Sequence, residues 1–131
     1  MDSGTRSRRA IGRVPPSPIL PLVPQFLYRL HPMRLAMLSE GPTVRESAVL
    51  ADHLAYLTRL AEEGTLLMAG RTLTRDERTF GIAVLVAPSE THARAVMEND
   101  PAVIHGVMRA ELFPYRIALW SRSGPAQEGG P

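Results

Sequence analysis

Four side chains in this sequence are of the types that acid–base work on a small molecule needs: His53, Asp100, Arg71 and His105. An imidazole titrates near neutrality and can take or give a proton in a transition state. A guanidinium can hold a carboxylate or phenolate through two parallel hydrogen bonds. At 100° per residue His53 shares a helix face with Leu50, Leu57 and Leu60, so it is partly buried. Two readings follow: a core histidine satisfied by a backbone carbonyl, or a general base at a cleft. Asp100 precedes Pro101 and reads first as a helix N-cap. Arg71, near Asp76 and Glu77, is either a solvated charge or an anion-binding group facing inward. His105, beside Gly106, is either a partner for a helix terminus or a second donor to a pocket.

Other chemistries lack their residues. There is no cysteine, which removes disulfides, thiolate ligands and cysteine nucleophiles. His53, His105 and Asp100 lack a ligand spacing such as H-E-x-x-H, so no metal is expected. The chain contains no G-x-S-x-G, no P-loop and no G-x-G-x-x-G, so neither serine hydrolysis nor a nucleotide cofactor is expected.

The elements that must position these groups follow from pattern. Phe26–Leu38 is apolar and β-rich, and Pro32 predicts a bend or bulge in that strand. Thr43 and Glu46 form a capping box, which predicts a helix to Glu63 ended by Gly64. Thr65–Gly70 and Phe80–Ala87 read as strands on either side of a polar loop. Ser89 caps a second helix to about Glu98, and Asp100-Pro101 opens a short third one that ends near Gly106. Arg109–Trp120 is the last strand. The order β-α-β-β-α-β is an α+β, ferredoxin-like fold: a four-stranded antiparallel sheet with helices on one face. Ile82–Val86 is apolar without alternation, so both faces of that strand should be covered. Helices cover one face, and a second copy of the sheet would cover the other. A homodimer is expected.

A chain of 131 residues with 44% apolar residues suits one domain with a real core. Residues 26–120 are expected to be that domain, with a disordered Arg/Pro-rich extension at 1–25 and a flexible tail at 121–131. The basic residues are all Arg, and the charge is uneven. Arg6, Arg8, Arg9 and Arg13 lie in the extension, leaving eleven Arg against twelve acidic residues in the remainder. A near-neutral body with only 5% aromatic residues argues against nucleic-acid binding. No apolar run approaches the roughly 20 residues of a membrane span, and the extension lacks the features of an export signal. A cytoplasmic location is expected.

The segments His53-Leu54-Ala55-Tyr56-Leu57, Glu62–Gly70 and Asn99-Asp100-Pro101-Ala102-Val103, with Gly106-Val107 and the closing strand through Phe113-Pro114-Tyr115, resemble the YCII-related family. In that family a helical H-x-x-x-L leads to E-x-G-x-L-L-x-A-G, and D-P-x-x-x-x-G precedes the final strand. The resemblance covers about residues 26–120. It implies a dimeric α+β barrel, similar to muconolactone isomerases, and a His–Asp dyad on His53 and Asp100. Most family members lack an assigned reaction, and one relative is a dehydrochlorinase of a chlorinated hydroxyhydroquinone. Where the family often has Pro after Ala-Gly, this chain has Arg71. The resulting expectation is a small-molecule enzyme of lyase or isomerase type that needs no cofactor. His53 and Asp100 would be catalytic, with Arg71 and His105 binding substrate. The alternative is a non-catalytic ligand-binding or assembly module in which His53 is structural.

Overall fold

The computed structural model describes residues 23–125. The expected extension, up to residue 22, and residues 126–131 of the expected tail lie outside the described residues. Among the described residues four strands and four helices follow in the order β1 (Gln25–Pro32), α1 (Ala36–Glu40), α2 (Val44–Glu62), β2 (Leu66–Arg71), β3 (Gly81–Val86), α3 (Glu90–Glu98), α4 (Pro101–Ile104) and β4 (Met108–Tyr115). The sheet order is β2-β3-β1-β4, and every neighbouring pair is antiparallel. This is the ferredoxin-like arrangement.

Alternation along β1 decides which face is the core. Phe26, Tyr28 and Leu30 are buried under the helices with Ala83 and Leu85 of β3 and Ala93 and Met97 of α3. Leu27, Arg29 and His31 point to the outer face. β4 obeys the same parity, because Leu112 opposes Tyr28 and Glu111 opposes Arg29. Pro114 is accommodated because β4 is an edge strand.

The first strand departs from expectation. It stops at Pro32 without a bulge, and Ala36–Glu40 is a helix. Beyond Leu30 the pairing with β3 has ended, so the proline's missing N–H costs the sheet nothing on that side. The residues after it include Leu, Ala, Met and Glu, good helix formers, and the turn they make buries Met37. The sheet's bulge lies in β2, between Leu66 and Met68.

The helix boundaries follow their caps. Thr43 Oγ1 accepts from the Glu46 backbone N–H at 3.1 Å, and Thr43 N–H donates to Glu46 Oε1 at 2.8 Å. At the far end Gly64, at φ +82°, lets Thr65 N–H reach Leu60 O at 2.9 Å, closing a Schellman motif. Between the caps, Val49, Leu57 and Leu60 are buried, and His53 lies on their side of the helix.

Candidate active site

Three distant stretches of chain meet behind the cavity that separates α2 from the sheet. Asp100 caps α4: its Oδ1 accepts from Ala102 N–H at 2.9 Å, and Pro101 occupies the first helical position. The same carboxylate lies 2.7 Å (Oδ1) and 2.9 Å (Oδ2) from His53 Nδ1. Its Oδ2 also accepts from the Tyr28 hydroxyl at 2.8 Å. Asp100 and Tyr28 are both 0% exposed, whereas the His53 side chain retains 16%.

The protonation pattern follows from these contacts. Ala102 N–H can only donate, so Oδ1 is an acceptor. The Tyr28 hydroxyl keeps its proton, because burial and then the Asp100 charge push its pKa far above the ordinary tyrosine range. The carboxylate therefore stands among donors, and the imidazole must carry its proton on Nδ1 when neutral. Nε2 then holds the lone pair. It has no protein partner among the described residues, yet it is not a buried orphan atom. His53 lines the cavity between α2 and the sheet.

That cavity has a volume of about 630 Å³. Leu50, Leu54 and Leu57 of α2 form one wall, Leu30, Ala69 and Gly81 part of the floor, and Met37 and Leu38 of the α1 segment the cover. Polar groups in the lining are few: His53, Arg71 and the Thr79 hydroxyl. Arg71 reaches it because it opposes Gly81, a position on the helix-facing side of the sheet. Among the described residues no carboxylate pairs with its guanidinium; Asp76 pairs with Arg78. An apolar chamber with one imidazole and one guanidinium suits a small, largely hydrophobic anion.

The structure thus brings His53 and Arg71 to one cavity, with Asp100 buried behind His53. His105 is not brought there. It is the exposed C-cap of α4, and its backbone carbonyl accepts from Arg45 Nη2 at 2.7 Å. The next residue, Gly106, at φ +69°, turns the chain back into β4. Tyr28 is the residue that pattern reading missed. A tyrosine in the buried register of β1 requires a partner for its hydroxyl, and that need was the available signal. Among the described residues, no three metal-ligating side chains cluster, and no helix is long and apolar enough to cross a membrane.

Comparison with known proteins agrees with this frame. Among solved structures the chain is similar to the 5-chloro-2-hydroxyhydroquinone dehydrochlorinase TftG from Burkholderia phenoliruptrix AC1100, in complex with 2,5-dihydroxybenzoquinone. Identity is 23%, coverage is 70% of this chain and 93% of that one, and the TM-score is 0.54. It is also similar to SnoaB, a cofactor-independent oxygenase from Streptomyces nogalater, at 15% identity, covering 73% and 95%, with a TM-score of 0.37 that carries no argument. No curated protein matches. The first likeness bears on fold alone, the α+β arrangement of a four-stranded antiparallel sheet with helices. The family model of the YCII-related domain matches residues 33–116. That span takes in α1, both residues of the His–Asp pair and the whole of β4, and the chain belongs to the YCII-related family.

Proposed function

We propose that this protein is a cofactor-independent enzyme of lyase or isomerase type acting on a small, mostly apolar anion. The observation that carries the reading is the contact of His53 Nδ1 with Asp100 on a residue that also lines the cavity, which in this reading leaves Nε2 for the substrate. In this mechanism Nε2 takes a proton from a carbon acid. Asp100 stabilises the resulting imidazolium, and Arg71 holds the oxygen on which negative charge collects. The proton then returns to another carbon or assists a leaving group. The subunits are proposed to pair through the outer faces of their sheets.

The test uses hydrogen–deuterium exchange at carbon in D2O, followed by proton NMR. Probes are 2,5-dihydroxybenzoquinone, the compound bound to the structural relative, and a panel of phenolates and 2-oxo acids. Exchange of a probe above the buffer rate is expected, with a fall of about 100-fold or more in His53→Ala. Arg71→Ala should chiefly weaken binding. Binding without exchange would favour the ligand-binding module. A panel that neither binds nor exchanges, or exchange indifferent to His53→Ala, would overturn the enzyme reading.

A further inference from the structure

Among the described residues the Tyr28 hydroxyl bonds one group, Asp100 Oδ2. A buried tyrosine can satisfy its hydroxyl in many ways, and Tyr56 does so on Val96 O at 2.7 Å. Tyr28 instead shares its acceptor with the imidazole that faces the cavity. We propose that Tyr28 is a positioning residue of this site, whose hydroxyl bond to Asp100 sets how strongly the carboxylate holds the proton on His53. The inference rests on the reading of His53 and Asp100 as an acid–base pair.

Two donors on one carboxylate compete for its electron density. The stronger the bond from Tyr28, the less charge Asp100 offers to the imidazolium, and the more readily His53 gives its proton up. The geometry also fixes the carboxylate in rotation. Oδ2 is tied to β1 and Oδ1 to the α4 backbone, so both oxygens stay facing His53. Few other groups reach this pair. Tyr56 faces it from α2 with its hydroxyl engaged, Arg71 stands on the cavity floor in β2, α3 packs there with Ala93 and Met97, and α4 itself carries no titratable side chain. Asp100 is the titratable side chain that the Tyr28 hydroxyl bonds, so a change made at that hydroxyl reaches His53 through it.

The experiment follows the His53 imidazole by NMR titration of the full-length chain labelled with 15N-histidine, assigned with His53→Gln. In Tyr28→Phe the carboxylate loses a donor, and the His53 titration midpoint should rise by about 0.5 or more. 3-Fluorotyrosine installed at position 28 keeps the shape, donates more strongly and should lower the midpoint. It also serves if Tyr28→Phe fails to fold. Asp100→Asn is the control and should lower the midpoint whatever Tyr28 does. A control that shifts while both Tyr28 variants leave the midpoint in place would overturn the role of Tyr28 and leave the His–Asp reading standing. A control that does not shift would overturn both, since the imidazole would then be independent of the carboxylate.

Discussion

Asp100 answers to three donors, and replacing it in two ways separates what each one needs. In Asp100→Ala the cap vanishes, and Ala102 N–H and the Tyr28 hydroxyl are left buried without partners. Urea unfolding should register a loss of about 2–4 kcal/mol. Asp100→Asn keeps Oδ1, which caps α4 and also lies 2.7 Å from His53 Nδ1, but removes the negative charge and turns the Oδ2 position into an amide N–H2 that meets the Tyr28 hydroxyl. Stability should fall by only about 1 kcal/mol, while carbon exchange falls because no charge is left to favour the imidazolium. The cap was legible from Asp100-Pro101 alone, because capping is a local act. The meeting with His53, 47 residues earlier, was not. No local period encodes it, and it entered only through family resemblance. Tyr28 was hidden for a related reason: in β1 it occupies an apolar register position and looks like filler until its hydroxyl is followed to Asp100.

At the scale of elements, the cavity's cover is fastened by a salt bridge. Arg34 grips Glu46 at 2.7 Å and 2.9 Å, and another nitrogen bond reaches Gly41 O at 3.2 Å, so the α1 segment is tied to the first turn of α2. The Arg34 hydrogen bonds, followed by Thr43 N–H, hold the Glu46 carboxyl down to about 2 from an ordinary 4.5. A depressed carboxyl favours the folded state fully above its ordinary value, and that support fades as pH falls from 4.5 towards 2. Melting temperature followed against pH should therefore drop across this window in the wild type. In Glu46→Gln the profile should start lower and be flatter there. An unchanged slope would mean that Glu46 is not what the acid attacks. The capping box and Gly64 announced α2 in the sequence, since each needs particular residues at fixed offsets. α1 was read as strand because a short apolar run has no period of its own to distinguish the two.

At the scale of the whole molecule, the outer face of the sheet is closed at its centre and open towards its edges. The unalternating run of β3 pointed to a covered outer face, yet Val84 is already only 2% exposed in a single chain, flanked in register by Leu27 and Met68. What lies open on that side is Met68, Phe113 and Tyr115, at 41, 40 and 44%. Among them Arg29 lies between the Phe80 and Phe113 rings, bonded to Glu111 at 3.0 Å, with its buried Nε unpartnered. A second sheet laid against this face would shield the rings. Sedimentation at micromolar concentration should give twice the chain mass, and Phe113→Asp should give the monomer with its fold intact. A wild-type monomer would end the paired-sheet proposal.

The bulge in β2 works as a phase shifter for everything downstream of it. Leu66 opposes Leu85 on the helix side, and one supernumerary residue, Leu67, is passed before Met68 opposes Val84 on the other. Strict two-residue alternation from Leu66 would send Ala69 and Arg71 to the outer face and Gly70 to the inner one. The slip reverses that parity, and so puts Arg71 on the helix-facing side of the sheet, where it lines the chamber that His53 also lines. Deleting Leu67 should remove the bulge and keep the frame: Met68 would follow Leu66 in regular alternation, and Arg71 would still oppose Gly81 on the helix side. Anionic probes should then bind as they do to the wild type, unlike in Arg71→Ala, and a loss of binding would mean that the bulge does more than set parity.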